Sequence, residues 1–160
     1  MAHVRRATSA DGPDLARLRW NFRAEEGEVP LGDFKEFLPR FLEHYWHGLD
    51  TEAWAHWVVE ESGAVIAHMA VQVHEGVPRP AVLRDRWGWL TDCYTIPTER
   101  DKGHGSRLLV TIREWAVQEG FELLLVSPSE KSVAFYARAG FGPAAEWLQL
   151  DLEPPQSATE

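Results

Sequence analysis

The stretch LTDCYTIPTERDKGHGSRLL, residues 90–109, joins the end of a strand to the start of a helix. Its first part is rich in β-branched and aromatic residues and is closed by Pro97, a pattern typical of a strand end. Glycines then stand at alternate positions, Gly103 and Gly105, before apolar residues at helical spacing. Because glycine has no Cβ, the backbone can turn tightly there and approach a ligand closely. The stretch therefore predicts a strand–loop–helix unit whose loop contacts a ligand.

The helix that follows the loop indicates the type of ligand. Its first N–H groups have no partner within the helix and lie at the positive end of the helix dipole, so they favour a phosphate. Arg100, Lys102 and Arg107 add positive charge to an otherwise acidic chain. A Walker loop is absent, and the dinucleotide fingerprint fails because Leu108 stands where its third glycine belongs. The remaining pattern is Arg-x-x-Gly-x-Gly, beginning at Arg100.

A second motif lies downstream of the loop. Residues 129–141 read SEKSVAFYARAGF, with a Phe-Tyr pair and a Gly-Phe turn. Together with residues 90–106, this segment resembles the GNAT superfamily of acetyl-CoA-dependent N-acetyltransferases: the glycine loop is similar to its pyrophosphate-binding motif, and the second motif to its last conserved helix. The resemblance is strong over residues 88–141 and rests on element order alone over residues 4–73.

Hydrophobic periodicity predicts the order strand, two helices, three strands, helix, strand, helix, strand, which is a mixed α/β sheet covered by helices. The second helix is expected to begin after Asp33 and to be kinked or split at Pro39. Residues 121–127 predict a strand buried on both faces, and residues 145–152 a last strand.

The resemblance implies the overall organisation of the domain. It implies a single acyltransferase domain over residues 1–152, with a mostly antiparallel central sheet, one splayed strand pair and helices on both faces. The tail, residues 153–160, contains two prolines and polar residues and is expected to be disordered.

The resemblance also implies where acetyl-CoA binds. The pantetheine arm would lie in the gap between the splayed strands, paired with backbone groups of Cys93 to Thr95. The pyrophosphate would be held by N–H groups of the glycine loop. The full set of cofactor-binding residues that the resemblance implies is Cys93, Tyr94, Thr95, Ile96, Arg100, Asp101, Lys102, Gly103, His104, Gly105, Ser106, Ser129, Ser132 and Phe135.

Attack of an amine on a thioester sets three tasks. The amine must lose a proton, since a free alkylamine has a pKa of about 10. The oxyanion needs a donor, for which a free N–H near Thr95 is the candidate. The leaving thiolate needs a proton or a hydrogen bond, and the resemblance assigns this task to Tyr136. A phenol with a pKa of about 10 would donate to a thiolate with a pKa of about 8.5 at a cost of only about 2 kcal/mol, and a hydrogen bond can suffice.

The general base is less clearly indicated. Some members of the superfamily carry a carboxylate early in the central strand, but the comparable place here is near Trp89, so this chain departs from that pattern. Asp92 is the nearest carboxylate on the strand and is our candidate. The alternatives are a water chain or one of four glutamates: Glu25, Glu26, Glu60 and Glu61.

The sequence indicates the acceptor site less clearly than the cofactor site. By resemblance it is formed by the first two helices and the loop before the central strand, which implies Trp20, Arg23 and Glu26 as substrate residues unless they serve packing. The chain has 8 tryptophans. Those in the first two thirds either wall a binding cleft or fill the core, and they include Trp46, Trp54, Trp57, Trp87 and Trp89.

Composition limits the remaining functions. The net charge of -9 argues against nucleic-acid binding and is compatible with a cationic acceptor. No apolar run is long enough for a membrane span, no signal peptide is evident, and Cys93 is the single cysteine, so we expect a cytoplasmic protein. His44 and His47 have a ligand-like spacing, but no third ligand is evident and no metal site is expected.

The sequence thus predicts an enzyme that acetylates the primary amine of a small or antibiotic-like molecule rather than of a protein. The resemblance also implies that the chain can form a homodimer. The alternative is a non-catalytic module of the same fold that senses acyl-CoA. Retention of Tyr136 favours the enzyme, because a sensor needs no acid for a leaving group.

Overall fold

Helices and strands follow one another in the predicted order in a computed structural model, which describes residues 1–152. The predicted tail, residues 153–160, lies outside the described residues. The elements are β1 (His3–Arg6), α1 (Gly12–Glu25), α2 (Phe34–Asp50), β2 (Trp54–Glu61), β3 (Ala64–Glu75), β4 (Arg86–Thr95), α3 (His104–Gln118), β5 (Leu124–Val126) and α4 (Val133–Arg138).

The strands form one sheet in the order β1-β2-β3-β4-β5. Pairing is antiparallel from β1 through β4, and β5 runs parallel to β4. The parallel pair is limited to Gly88–Leu90 against Leu124–Val126, although β4 continues to Thr95. Pairing covers the whole of β5, so β4 continues beyond Leu90 without β5 beside it. This confirms the mostly antiparallel sheet, and the splayed pair stays a prediction.

Helices cover both faces of the sheet, as predicted. On one face α3 and α4 pack over a core that includes Leu90, Ile112 and Tyr136. On the other face α1 and α2 pack over a second cluster that includes Leu15 and Tyr45. We call these the α3 face and the α1 face.

A β-bulge interrupts β4 where it leaves β5. Thr91 pairs with Ala70 and Tyr94 with His68, so Asp92 and Cys93 together stand opposite a single residue of β3. Asp92 has a φ of 54°, in the left-handed region that few residues other than glycine adopt. Strained backbone of this kind occurs often at functional sites. The bulge directs Asp92 to the α1 face and Cys93 to the α3 face.

One predicted detail of the elements is wrong and another is wrong in part. Pro39 is expected to kink or split α2; it does not split α2, which is one helix from Phe34 to Asp50 and begins at the predicted cap, Asp33, while the kink stays a prediction. A proline removes one backbone hydrogen bond, and the packing of Phe41 and Tyr45 against the α1 face offsets this loss. The segment 121–127 forms only the short strand β5, which is half-buried because it is an edge strand.

The expected last strand is also wrong. Residues 145–152 form no strand, and the apolar side chains at alternate positions, Leu148, Leu150 and Leu152, are exposed. An alternating pattern becomes a strand only beside a sheet edge that can pair with it, and none pairs with this segment in the described chain. Trp147 nevertheless contacts Trp87, with ring centroids 5.1 Å apart.

None of the helices within residues 1–152 combines the length and the apolar character that crossing a bilayer requires.

Candidate active site

The gap between β4 and β5 forms the centre of the site. From Thr91 to Thr95, β4 is paired with β3 but has no strand partner on its other side. The predicted cofactor residues Cys93, Tyr94 and Thr95 therefore lie on an open strand edge. Such an edge presents backbone donors and acceptors to an extended ligand.

The glycine loop lies at the end of this gap. Among the described residues, no backbone N–H from Asp101 to Ser106 has a hydrogen-bond partner. Gly103 is the N-cap of α3 with a φ of 77°, and a Cβ at this position would meet nothing within 4 Å. The loop therefore combines unpaired donors with open space, which is the arrangement that a phosphate group requires.

Gly105 has a different role from Gly103. A Cβ at Gly105 would approach the Phe135 ring to 3.1 Å, so this glycine lets α3 and α4 pack closely. His104, between the two glycines, is buried, and its Nδ1 lies 2.6 Å from a guanidinium nitrogen of Arg107. Gly103 thus shapes the loop, whereas Gly105 serves packing in the core.

The positive side chains near the loop are engaged within the protein. Arg100 donates to the Glu25 carboxylate at 2.5 Å and to the Thr95 carbonyl at 3.0 Å, while Lys102 pairs with Glu99 at 2.9 Å. The hydrogen bond from Tyr94 and the ion pair with Arg100 lower the pKa of Glu25. Glu25, one of the alternative bases, is therefore a weak proton acceptor.

Tyr136 reaches the gap from the α3 face. It is 5% exposed and belongs to the α3-face core, against which Cys93 packs beside the bulge. Burial, and secondarily Cys93, raise the pKa of Tyr136, and burial also raises the pKa of the Cys93 thiol. Both groups are therefore protonated at neutral pH, and Tyr136 is a hydrogen-bond donor at this position.

Asp92 faces the opposite side of β4 from Tyr136. Its carboxylate forms an ion pair with Arg19 of α1, and its side chain is 15% exposed. Sequence reasoning missed Arg19, because nothing in a linear pattern pairs an α1 residue with a bulge in β4. The two predicted catalytic residues therefore flank one strand from its two faces.

The remaining predicted cofactor residues lie around α4. Ser129 and Ser132 are hydrogen-bonded to each other at 3.1 Å before α4 begins. A cleft of about 670 Å³ lies between α3 and α4, and its lining includes Ser106, Phe135 and Arg138. Of the predicted cofactor residues, Ser106 and Phe135 line this cleft.

The predicted acceptor residues lie near the end of α1. Trp20 packs against Phe34 and Phe37, with ring centroids 5.6 and 5.4 Å apart, and Arg23 pairs with Glu28. Trp20 and Arg23 also line a cavity of about 560 Å³ at the loop between α1 and α2, whereas Glu26 does not. Arg19 lines the same cavity, which therefore adjoins Asp92.

A buried histidine pair on the α1 face was not predicted. His56 Nδ1 lies 2.9 Å from His68 Nε2, and burial lowers the pKa of both rings. The two histidines lie on neighbouring strands, His56 on β2 and His68 on β3. Within residues 1–152, no three histidine, cysteine or carboxylate side chains cluster in a way that could hold a metal ion.

The open edge of β4, the loop of unpaired N–H groups and the buried tyrosine define a class of protein, the acetyltransferases. The profile described as Acetyltransferase (GNAT) family matches residues 16–141, and the chain belongs to this family.

Solved structures share the fold. A predicted acetyltransferase with acetyl-CoA from Clostridium acetobutylicum is 24% identical, with 94% of this chain and 96% of that chain covered at a TM-score of 0.80. A GCN5-related N-acetyltransferase from Ralstonia eutropha is 24% identical, with coverages of 94% and 99% and a TM-score of 0.77. An aminoglycoside acetyltransferase from an uncultured soil metagenomic sample, in complex with trehalose, is 16% identical, with coverages of 96% and 95% and a TM-score of 0.70. No curated protein sequence matches the chain.

Proposed function

We propose that this protein transfers the acetyl group of acetyl-CoA to the primary amine of a small-molecule acceptor by direct attack of the amine. The observation that carries the proposal is the burial of Tyr136 in the core against which Cys93 packs, on the part of β4 that continues beyond its pairing with β5. An acid placed at the mouth of an open strand edge serves a reaction there, and simple binding would not require it.

The residues of the loop and gap fit the cofactor. A Cβ at Gly103 would stand in open space, and the adjacent N–H groups have no partner among the described residues. Because Arg100 and Lys102 are paired with carboxylates, backbone donors rather than side-chain charge would hold the pyrophosphate. When bound, acetyl-CoA supplies an activated acetyl group. The proposed cofactor residues stay those that the sequence predicts.

Two side chains have proposed chemical roles on opposite faces of β4. Tyr136 donates a hydrogen bond to the leaving sulfur, and its raised pKa makes this donation more favourable than full proton transfer. Asp92 accepts the proton of the acceptor ammonium, while Arg19 fixes the orientation of its carboxylate. An N–H of the open β4 edge near Thr95 stabilises the oxyanion.

Other parts of the proposal follow from the sequence. Trp20, Arg23 and Glu26 are proposed to contact the acceptor, in line with the cavity that the first two of them line. A homodimer and a cytoplasmic location also stay predictions.

The cofactor site can be tested by thermal unfolding with and without acetyl-CoA. At 100 times its dissociation constant, a ligand stabilises the native state by about 2.7 kcal/mol, which is several degrees in Tm. We expect this shift in the wild type and its loss in Gly103→Asp, whose side chain would fill the phosphate position with negative charge.

Gly63→Asp is the matched control. Gly63 has a φ of 80° and open space around its missing Cβ, so the backbone strain and the charge change equal those at Gly103. The control should keep the ligand shift of the wild type. An equal Tm shift in all three proteins, or no shift at millimolar acetyl-CoA, would contradict the proposed cofactor site. A shift without amine-dependent release of CoA for any amine would favour the non-catalytic acyl-CoA sensor.

A further inference from the structure

We propose that a wall of aromatic side chains on the α1 face binds the acceptor, and that the acceptor is an amine carrying a planar aromatic ring. The aromatic wall consists of Trp54, His74, Trp87, Trp89 and Trp147. The inference rests on the proposed function, because it names the class of acceptor for the same site.

The sheet register places these side chains on one face. Gly88 and Leu90 face the α3 side, where a Cβ at Gly88 would meet Leu124 and Phe121 and where Leu90 joins the core. Because side chains alternate along a strand, Trp87 and Trp89 point to the α1 side. Trp54 of β2 faces the same side, where it contacts the α2 residue His44.

Cross-strand pairing joins the rings into a continuous surface. Gln72 of β3 pairs with Trp89 on one side and with Trp54 on the other, while His74 pairs with Trp87. The His74 ring lies flat against Trp87, with centroids 4.0 Å apart and an interplanar angle of 6°. Trp147 meets the same tryptophan edge-on. Three rings of the wall, those of His74, Trp87 and Trp147, are thus in direct contact, while Trp54 and Trp89 stand beside them on either side of Gln72.

The wall is not part of either core. Trp54, Trp87 and Trp89 are half-buried, Trp147 is 46% exposed, and none of the five belongs to the two apolar clusters. Large aromatic surface that a protein holds rigid and leaves accessible is typical of a ligand site.

The wall ends at the proposed reaction centre. Trp89 precedes Asp92 by three positions, which is about 10 Å along a strand. Between them, Ala70 and Thr91 pair across β3 and β4, and both have small side chains. A ring stacked on Trp89 would therefore leave a two- or three-atom chain free to place its amine beside Asp92.

The charges around the wall distinguish an aromatic amine from other amines. A linear polyamine needs a second carboxylate besides Asp92 for its distal ammonium, but Glu75 and Asp85 are paired with Arg86 and Arg79. An aminosugar needs several hydrogen-bonding partners for its hydroxyls, whereas Gln72 and Thr91 are the polar side chains that the wall brings to this face. A flat apolar ring matches the flat apolar surface.

The test compares amines of different shape in a CoA-release assay. The probes are 2-phenylethylamine, the equally large but non-planar 2-cyclohexylethylamine, spermidine and glucosamine. We expect the highest kcat/KM for 2-phenylethylamine. In Trp89→Leu its KM should rise about tenfold, which corresponds to the loss of about 1.4 kcal/mol of aromatic contact, while the KM for acetyl-CoA stays unchanged.

Trp46→Leu is the matched control. Trp46 is a tryptophan on α2, 44% exposed, whose indole N–H donates to the Ser9 carbonyl, away from the wall. This variant should keep the wild-type KM for every amine. Calorimetric titration of 2-phenylethylamine into the CoA complex gives a second readout, in which Trp89→Leu should weaken binding about tenfold.

The outcomes separate this inference from the proposed function. If acetyl-CoA binds and amines turn over, but spermidine or glucosamine is preferred, or Trp89→Leu leaves the KM for 2-phenylethylamine unchanged, the aromatic acceptor is wrong and the acetyltransferase stands. If 2-phenylethylamine is not preferred over its cyclohexyl analogue, the planar-ring requirement is wrong. If acetyl-CoA neither binds nor reacts, both proposals fail together.

Discussion

The two faces of the sheet recognise their proposed ligands by different physical means. On the α3 face the cofactor would be held by backbone groups, namely the N–H groups of the loop before α3 and the open edge of β4. On the α1 face the acceptor would be held by side chains, namely the aromatic wall and the Asp92–Arg19 pair.

This difference explains why one ligand could be read from the sequence and the other could not. A backbone site depends on local geometry, and glycines at fixed spacing before a helix encode that geometry within a few residues. A side-chain site is assembled from strands and helices that are distant in sequence, such as Trp54, Trp87 and Trp147. The comparison predicts that variants on the two faces will have distinct signatures.

The largest expected effects on activity come from the two residues with proposed chemical roles, Asp92 on the α1 face and Tyr136 on the α3 face. Asp92→Asn should lower kcat/KM about a hundredfold for an alkylamine, because loss of a general base costs at least this much. The loss should be much smaller for an acceptor of low pKa, which arrives already neutral. Tyr136→Phe should lower kcat by a similar factor for both kinds of amine, since it acts on the leaving sulfur.

Steady-state kinetics with amines of graded pKa check this division. Glu43→Gln, which removes an exposed carboxylate of α2, should behave as the wild type. Equal sensitivity of Asp92→Asn to amines of high and low pKa would contradict the base assignment. Full activity of Tyr136→Phe would remove the tyrosine from the reaction.

A second difference between the two faces is expected in the pH dependence of the free energy of unfolding. Burial lowers the pKa of His56 and of His68 on the α1 face, so both stay neutral in the folded protein when the unfolded chain takes up protons. Stability is therefore full above the ordinary histidine pKa of about 6.5 and falls as the pH drops below it. Between pH 7.5 and 5.5 the free energy of unfolding should fall by about 1.4 kcal/mol for each histidine.

Urea unfolding at the two pH values measures this loss. His56→Gln and His68→Gln should each remove about half of it, and the double variant nearly all of it. A slope that persists unchanged in the double variant would show that other groups carry the pH dependence.

The smallest effect concerns the α3 face, whose core is apolar. Ile112 is fully buried there, and Ile112→Val should lower the free energy of unfolding by about 1 kcal/mol through the loss of one methylene. Because this face lacks a comparable buried histidine pair among the described residues, the loss should be the same at pH 7.5 and pH 5.5. The same urea series supplies the measurement, and a pH-dependent loss would contradict the separation of the two faces.

Much of the fold was predictable from the sequence because it follows from local patterns. The order of the elements from β1 to α4 and the cap at Asp33 follow from periodicity and cap chemistry. The errors concern elements whose form depends on neighbours. Pro39 is accommodated within α2 by packing on the α1 face, and residues 145–152 pair with no strand of the described chain, although β5 is an edge strand.

The candidate site likewise contains features that the sequence predicted and features that only the folded chain shows. The sequence placed Tyr136 and the glycine loop beside the central strand, but it treated the two glycines alike, whereas Gly105 serves the packing of Phe135. It counted Arg100 as a charge for phosphate, whereas the folded chain pairs it with Glu25, far away in sequence.

By itself, then, the sequence determined the family, the order of the elements and the backbone loop for a phosphate, since each depends on residues that are close together in the chain. Only the tertiary structure decided which side chains meet: Asp92 with Arg19, His56 with His68 and Trp87 with Trp147. Each of these pairs joins different elements, and their contact depends on register, on the bulge in β4 and on helix placement, which no local pattern specifies.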